Sequence, residues 1–360
     1  MEVARQSEIK VIWNSKDVTS DISKYVSSIS YTDVEEGMSD DATLVFDNTD
    51  GRWFEDWYPN EGDTLEMYLG YNNKLLNCGL FEVDEITLSG LPDQIEIKTI
   101  AAGMTKALRT RNSKAFENQT LHQIAKYFCS KHNLTLVDST SMLNQINLDR
   151  KTQENQTDLS FLAQLSKDYG FIFSIRGNKL IFTSYYDLDN ADSIKEIDKT
   201  EIGSYSITRK MYDTYAVSEF KARDHKKGKL VESSVTAEDE SWDGTAVDTY
   251  KAYGADKSAQ SSKAKVQSKL WDKNKMKQTC SLTGLEGDPE LVSGINFDLT
   301  GCGLGSGKYH IISSTHTISG DGAYVMNLEC RKTGTVPKPK RVPKKETETI
   351  EETDSLGEYE

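Results

Sequence analysis

The stretch from Thr279 to Lys332 constrains the fold of this chain more than any other part of the sequence. It contains three runs in which apolar residues alternate with polar ones, and glycine-containing breaks separate the runs. The alternating positions are Ile295, Phe297 and Leu299, then Tyr309 and Ile311, then Tyr324, Met326, Leu328 and Cys330. A period of two is typical of antiparallel strands that bury one face. We therefore expect the closing sheet of a β-barrel or β-sandwich, with a tight turn at Asp321–Gly322.

The glycine-rich run from Gly301 to Gly307 lies between the first two of these strands and resembles a phosphate-binding loop. A phosphate loop needs a helix directly behind it, whose amino-terminal N–H groups face the anion. The residues from Tyr309 onward follow a strand pattern instead. We therefore interpret the run as a flexible hairpin loop and not as a phosphate site.

The charge balance argues against nucleic acid as a surface partner. The chain has 360 residues, of which 57 are acidic and 43 are basic, so its formal net charge is −14. A protein that binds duplex DNA is normally basic. The first ten residues lack the apolar core of a signal peptide, and no run of about eighteen apolar residues is present to insert into a membrane. The five cysteines are scattered without CxxC spacing, which predicts reduced thiols, and Cys129, Cys280 and Cys330 are expected to be small buried hydrophobic residues.

The changes in periodicity along the chain predict a mainly β protein with an α+β insert. Residues 1–102 are read as a first β-barrel, and residues 103–200 as a small α/β module. In that module we expect helices near 120–132 and 157–169 and a hairpin over 171–183. Residues 201–335 are read as a second β-barrel with a helix near 258–277, and residues 336–360 as an extended, charged C-terminal tail.

Local signals set the limits of the two helices of the module. Thr120 is a good amino-terminal cap, and Asn133 suits the carboxyl end of the first helix. The second helix is expected to begin near Thr157 or Asp158 and to stop at Gly170. The helix near 258–277 carries many lysines, which form either a solvated face or a contact with an acidic neighbour.

The sequence lacks the motifs of the common enzyme classes. It contains no GxSxG, HExxH, Walker or EF-hand motif. Of the five histidines only His310 and His316 lie close together in sequence, and their spacing does not suit zinc. We therefore predict a protein that is not an enzyme and assign no catalytic, cofactor-binding or metal-binding residue. Structural histidines are the expected interpretation.

Two groups of residues are candidates for contacts with other proteins. Trp53, Phe54 and Trp57 follow a dense turn at 47–51 and form an aromatic cluster, which often marks a contact surface. The alternative is that these rings close the end of a barrel. The second group is basic and lies in the tail, where it is a candidate for binding an acidic partner: Lys338, Lys340, Arg341, Lys344 and Lys345.

Several segments, taken in order, resemble the phage late control D family, the baseplate hub proteins of contractile tails and related contractile injection systems. These segments are 28–53, 62–71, 78–86, 157–183, 282–301 and 307–332. The resemblance covers most of residues 8–332. No single motif is diagnostic, and the specificity comes from the order of the series.

The resemblance implies two tail-tube-like barrels flanking the α/β module, and a homotrimer that adapts the hexameric tail tube to the trimeric central spike. Further implied partners are the baseplate wedge proteins and the tape measure protein. DNA is expected to pass through the lumen without specific binding. The implied location is the virion tail baseplate, after synthesis in the host bacterial cytoplasm. Longer family members carry further domains, so here we expect a separate spike chain and a tail that docks on it or on a neighbouring hub subunit.

Three alternatives remain open at this point. The first is a tail-tip protein that binds or hydrolyses peptidoglycan, since residues 119–137 faintly resemble a cell-wall-binding LysM module. The second is the hub of a non-contractile tail. The third is a hub from a bacteriocin or secretion-type particle, which would have nearly the same sequence properties as a phage hub.

Overall fold

The structure is a computed structural model of the 360-residue chain. It describes residues 6–35, 40–60, 62–71, 74–102, 108, 110–138, 142–176, 178–210, 217–224, 229–236, 249–253, 264–265, 267–269, 271–272 and 275–333. For residues 176, 217–224, 229–236 and 249–253 it describes the backbone alone. The chain is mainly β, as the sequence predicted.

The described strands and helices have the following bounds. The strands are β1 Ser7–Trp13, β2 Lys16–Asp17, β3 Val26–Val34, β4 Asp41–Asp47, β5 Thr64–Tyr71, β6 Lys74–Ser89, β7 Gln94–Ala101, β8 Arg111–Thr120, β9 Thr135–Asp138, β10 Asn147–Thr157, β11 Phe171–Arg176, β12 Lys179–Ser184, β13 Ser193–Asp198, β14 Ser204–Arg209, β15 Val217–Asp224, β16 Lys229–Thr236, β17 Thr249–Tyr253, β18 Gln278–Glu286, β19 Asn296–Thr300, β20 Gly307–Ser319 and β21 Tyr324–Lys332. The helices are α1 Thr19–Ile22, α2 Leu121–His132, α3 Asp158–Tyr169 and α4 Tyr185–Asn190.

The first barrel is built from β1 to β7, in the spatial order β2-β1-β5-β6-β7-β4-β3. Its strands alternate as a one-sided sheet should: Ala42, Leu44 and Phe46 of β4 are fully buried, and the residues between them are not. The β20–β21 turn covers its open side, where the Ser7 hydroxyl donates to the Gly322 carbonyl at 2.7 Å. The result is one apolar core for residues 9–101.

The second barrel contains β13, β14 and β18 to β21. Strand β19 pairs with β13 on one side and β20 on the other, and β21 and β18 continue the sheet to β14. Because β13 and β14 are consecutive in the chain, joined at 199–203, the two ends of this sheet are held together. The predicted inward residues Phe297, Tyr309 and Leu328 all lie in its core, where Phe297 and Tyr309 stack at 6.1 Å.

Strand β20 belongs to both barrels. Residues 307–310 pair with β19, and residues 313–319 pair with β3 of the first barrel. A register shift between Ile311 and Ser313 changes which residues point inward. As a result, Ile311 packs in the second core and Ile318 packs in the first. One strand thus joins the barrels without an intervening linker.

The insert lies between the barrels in sequence and has its own core. Helix α2 begins with a capping box, in which the Thr120 hydroxyl accepts from the Gln123 N–H at 3.2 Å. It ends at Asn133, whose φ is 55°. Helix α3 is capped by Thr157 and ends at Gly170, whose φ is 83°. The helices predicted near 120–132 and 157–169 therefore end where the sequence signals place them.

Behind the helices of the insert lie two small sheets. Strand β12 pairs with β11 as the predicted hairpin and with β9 in parallel. Strands β8 and β10 form a separate antiparallel ribbon. Sequence analysis missed this ribbon and also β9 and β13. The reason is physical: β8 buries only Phe116, and β13 buries only Ile197, so neither has an apolar alternation to detect.

Two further features complete the described fold. Residues 264–265, 267–269 and 271–272 are helical, and we call them the late helical segment. The helix predicted near 258–277 is too long at its carboxyl end, because residues 275–277 form a turn that leads into β18. Strand β15 pairs with β16 and β17 in a separate three-stranded sheet. In the part of the chain that the structure describes, no helix has the length and apolar character needed to cross a membrane.

Candidate interface sites

The aromatic cluster predicted as a contact surface divides into a buried and an exposed part. Gly51, with a φ of 76°, turns the chain into a short 3-10 helix over Arg52–Phe54. The backbone N–H of Trp53 donates to the Asn48 side-chain oxygen at 2.9 Å, and the Trp53 ring stacks on Phe46 at 4.5 Å. Only 3% of Trp53 is exposed. Trp53 therefore closes the end of the first barrel, which is the alternative role considered from sequence.

Phe54 and Trp57 are the members of this cluster that present ring surface. Phe54 is 49% exposed, and Trp57 is half-buried with its edge against Trp53 at 5.4 Å. The Arg52 guanidinium lies 5.4 Å from the Trp57 ring and 5.3 Å from the Tyr25 ring. Such cation–π contacts show that this aromatic surface already attracts positive charge.

Between this turn and α1 lies a groove of about 300 Å³ that the sequence analysis missed. We call it the tryptophan groove. Residues from two stretches of the chain, 13–22 and 53–63, line it, and the main ones are Trp13, Asp21, Trp53, Asp56, Trp57 and Tyr58. These residues are up to 45 positions apart in sequence, counting from Trp13 to Tyr58, so only the fold brings them together.

The groove is acidic as well as aromatic. Asp21 and Asp56 are exposed at its lining, where three aspartates outnumber a single lysine, Lys16. Asp63 is held by the chain itself, because Trp13 Nε1 donates to it at 3.0 Å and Asn14 Nδ2 at 2.8 Å. Burial tends to raise the pKa of Asp63, but the hydrogen bonds from Asn14, Asn60 and Trp13 outweigh it, and its pKa lies below the usual value.

A second polar site, which we call the polar seam, lies where the barrels meet. Asn296 Nδ2 donates to the carbonyls of Leu188 at 2.7 Å and Ala191 at 2.8 Å, so its Oδ1 is left to accept from His310 Nδ1 at 2.6 Å. The other ring nitrogen, Nε2, contacts Glu35.

The polar seam connects all three parts of the fold. Glu35 follows β3 of the first barrel, His310 belongs to β20, Asn296 to β19, and Leu188 to α4 at the end of the insert. His310 is fully buried and Glu35 is 8% exposed. The arrangement satisfies its own polar atoms and is sealed from solvent, so it has the properties of a structural joint. The predicted structural role of this histidine fits these contacts.

A second buried histidine of β20, His316, is held neutral. His316 Nδ1 accepts from the Tyr324 hydroxyl at 2.8 Å, and its ring stacks on Tyr31 at 6.3 Å. Burial lowers the pKa of His316 to about 4. Nearby, the Asp33 carboxylate accepts from the Ser293 N–H at 2.9 Å, which ties β3 to the segment before β19.

The late helical segment docks on the insert and on β21. Trp271 stacks on Tyr185 at 4.2 Å and donates from Nε1 to Asp189 at 3.0 Å. Arg331 pairs with Asp189 at 2.6 Å and lies over Trp271 at 5.0 Å. Lys269 of the same segment pairs with Asp168 of the insert at 3.4 Å. An acidic neighbour of this lysine-rich face is therefore part of the same chain.

One cluster of titratable groups in the insert could be mistaken for a catalytic site. Asp158 is fully buried at the start of α3 and contacts Lys131 at 2.5 Å, His132 at 2.7 Å and Gln153 at 2.8 Å. Burial raises the pKa of Asp158, but these hydrogen bonds and the Lys131 charge together lower it by more, so its pKa lies below the usual value. The cluster ties α2 to α3. Among the described residues, no group of three or more His, Cys, Asp or Glu could hold a metal ion.

The remaining candidate residues lie in the tail. Residues 334–360 lie outside the described residues, so the predicted basic group is not placed: Lys338, Lys340, Arg341, Lys344 and Lys345. The last described residue is Thr333, whose N–H donates to the Lys308 carbonyl at 3.0 Å. The tail therefore leaves the fold at the β19–β20 end of the second barrel.

Relatives of known name match part of the chain. A probable baseplate hub protein of Escherichia phage 186 is 30% identical over 170 residues, which are 47% of this chain and 43% of that protein. A probable baseplate hub protein of Escherichia phage P2 is 28% identical over 170 residues, with the same coverage. The matched part is less than half of the length of these relatives. They confirm the resemblance to baseplate hub proteins that the sequence indicated.

Solved structures share the fold over nearly the whole chain. A tail protein from Neisseria meningitidis MC58 has a TM-score of 0.67, covering 92% of this chain and 98% of that one, at 10% identity. The 43 kDa tail protein of prophage MuSo2 from Shewanella oneidensis has a TM-score of 0.66, covering 90% and 98%, at 14% identity. At such identities the likeness concerns the fold alone.

A family model described as YQBQ-like matches residues 43–331. The match begins in β4 of the first barrel, includes the insert and extends into β21. It therefore spans most of the chain and includes the strands of the polar seam that follow β4. This chain belongs to the YQBQ-like family.

Proposed function

We propose that this chain is a structural baseplate hub, without enzymatic activity, that assembles as a homotrimer between a hexameric tail tube and a trimeric central spike. The particle is a contractile phage tail or a related phage-like injection particle. The names of the phage 186 and phage P2 relatives support the hub role. The observation that carries the proposal is the double barrel joined through β20.

The double barrel suits a change of symmetry. Three copies of a chain with two barrels give six barrels around one axis, while the insert and the tail are repeated only three times. A ring of this kind offers a nearly sixfold face to the tail tube and a threefold face to the spike. The joint must be rigid for this to work, and the shared strand and the buried polar seam supply that rigidity.

Within this proposal the chain divides into four functional parts. Residues 1–102 and 201–335 form the two barrels, residues 103–200 form the insert, and residues 336–360 form an extended tail. The β20–β21 hairpin serves both barrels, because Ile318 and Tyr324 pack in the first core. Phe54 and Trp57 contribute to a contact with a neighbouring subunit or with the tube, and Trp53 supports them from below.

The other proposed partners follow from the same role. Baseplate wedge proteins surround the hub, and the tape measure protein reaches it through the tube. The hub lies in the virion tail baseplate after synthesis in the host cytoplasm. A formal net charge of −14 favours passage of DNA through a lumen without specific binding, since like charges repel.

The experiment that tests the proposal is a mass measurement in solution by light scattering. The purified chain is measured alone and with the central spike protein of the same particle. The expected mass of the hub component is three times the 40.4 kDa of one chain. The same preparation is added to purified cell walls, whose turbidity should not change. A chain that stays monomeric with its spike, or that clears cell walls, would overturn the proposal.

A further inference from the structure

The tryptophan groove has the chemistry of a site for a basic, proline-containing segment. Proline-rich segments form extended left-handed helices that dock in aromatic-lined grooves, and their preformed shape lowers the entropy lost on binding. The groove offers the rings of Trp13, Trp53 and Trp57. Asp21 and Asp56 add exposed negative charge beside those rings.

The chain itself contains a segment of this composition. Residues 336–345 read VPKPKRVPKK, with three prolines and five basic residues and no acidic ones. The rest of the chain has a large acidic excess, so this segment differs in charge from its surroundings. It matches the groove in both respects, because prolines suit the aromatic rings and lysines or arginine suit the two aspartates.

The length of the tail decides whether it can dock in the groove of its own copy or only in that of another copy. The tail leaves at Thr333, beside Lys308 at the start of β20. The groove lies near the other end of this 13-residue strand. There the Gly320 N–H donates to the Ser27 carbonyl, and the ring of Tyr25, two residues before Ser27, contacts Trp57. Strand β20 spans about 40 Å at roughly 3.3 Å per residue. The seven residues from Thr333 to Lys340, in the middle of the basic segment, span at most about 25 Å. The middle of this segment therefore does not reach the groove of its own copy.

We propose that residues 336–345 of one copy dock in the tryptophan groove of a neighbouring copy. The inference rests on the proposed function in one respect, namely that several copies assemble side by side. It joins the two groups of candidate interface residues into a single contact, in which the tail of each subunit fastens the next. In a closed ring every groove then receives one tail.

The test uses the full-length chain with its own basic tail residues reversed, so that its grooves stay free. The changes are Lys338→Glu, Lys340→Glu, Arg341→Glu, Lys344→Glu and Lys345→Glu. The probe is a fluorescent synthetic peptide of residues 334–347, and its binding is followed by anisotropy. We expect saturable binding that weakens as salt is raised, because part of the attraction is between exposed charges.

Matched variants in the same background locate the site. Asp21→Asn with Asp56→Asn should weaken peptide binding by about tenfold, since two exposed ion pairs are lost. Glu85→Gln with Glu96→Gln makes the same charge change on strands β6 and β7 outside the groove, and should leave binding unchanged. Trp57→Ala should abolish saturable binding. A peptide with Pro337, Pro339 and Pro343 changed to alanine should bind more weakly than the natural one.

Each outcome is decisive. Absence of peptide binding, equal binding to the Asp21 and Asp56 variant, or equal binding of the alanine peptide overturns the inference. The mass of the unmodified chain is measured separately by light scattering. A trimer without peptide binding leaves the proposed hub intact and removes the tail contact. A persistent monomer that binds the peptide in its groove overturns the trimer but keeps the groove as a peptide site.

Discussion

The polar seam lies where the first barrel meets the second barrel and the insert, whereas the tryptophan groove lies within the first barrel, and the two differ in how exposed their polar groups are. In the seam, Glu35, His310 and Asn296 find all their partners within the chain and are shielded from solvent. In the groove, Asp21 and Asp56 are exposed to solvent. The comparison teaches that buried polar groups which satisfy one another can join parts of one chain, whereas exposed charges beside aromatic rings remain accessible to another chain.

The largest expected effect is at Trp53, which lies between the tryptophan groove and the core of the first barrel. Trp53→Ala should lower the free energy of unfolding by about 4 kcal/mol, because it removes a buried ring that stacks on Phe46. Urea denaturation followed by circular dichroism measures this. Trp53→Phe is the control, since it keeps a ring against Phe46, and it should lose less than half as much. A small effect of the alanine change would mean that Trp53 is not a core residue.

Breaking the seam should cost slightly less. His310→Ala leaves Glu35 buried without its partner and should destabilise the chain by about 3 kcal/mol. The matched control is His122→Ala in the insert. His122 is partly exposed and lies 3.7 Å from Asp138, so the free energy of unfolding should change by no more than about 1 kcal/mol. Equal effects in denaturant titrations would contradict the role of the seam as a joint.

The buried His316 should make stability depend on pH. Burial lowers the pKa of His316 from 6.5 to about 4, so the unfolded chain binds a proton that the folded chain does not. The contribution is fully present above pH 6.5 and is lost as the pH falls toward 4. We expect a loss of about 2 kcal/mol between pH 8 and pH 5 from this residue.

His316→Gln provides the control for this dependence, because glutamine can still accept from the Tyr324 hydroxyl but does not titrate. The slope of unfolding free energy against pH should be smaller in this variant than in the natural chain. An unchanged slope would show that other groups cause the dependence.

The smallest effect on folding is expected at the exposed face of the aromatic cluster. Phe54→Ala should change the free energy of unfolding by no more than about 0.5 kcal/mol, since the ring is 49% exposed. It should instead reduce assembly, as judged by the mass in dilution series. Exposed Leu304→Ala on the second barrel is the control. Phe54→Ala therefore tests the contact with little change in stability, whereas Trp53→Ala also damages the core.

Periodicity and helix caps allowed much of the fold to be predicted. The runs ending in Cys330 became β19 to β21, and Thr120, Asn133 and Gly170 mark helix ends as expected. The ribbon of β8 and β10 was not predicted, because its strands are polar and are stabilised by pairing with each other. Of the candidate sites, the sequence indicated the aromatic cluster but not Trp13 or Asp21, which come from other segments.

The sequence by itself determined the mainly β character, the position of the helices, the acidic charge and the basic proline-containing tail, because each depends on neighbouring residues. Only the tertiary structure decided that β20 serves two barrels, that Trp53 faces inward while Phe54 faces outward, and that Glu35 meets His310. These features depend on contacts between residues as far apart as Glu35 and His310, 275 positions along the chain. No local pattern encodes such a contact, since register and burial are set by the packing of the whole sheet.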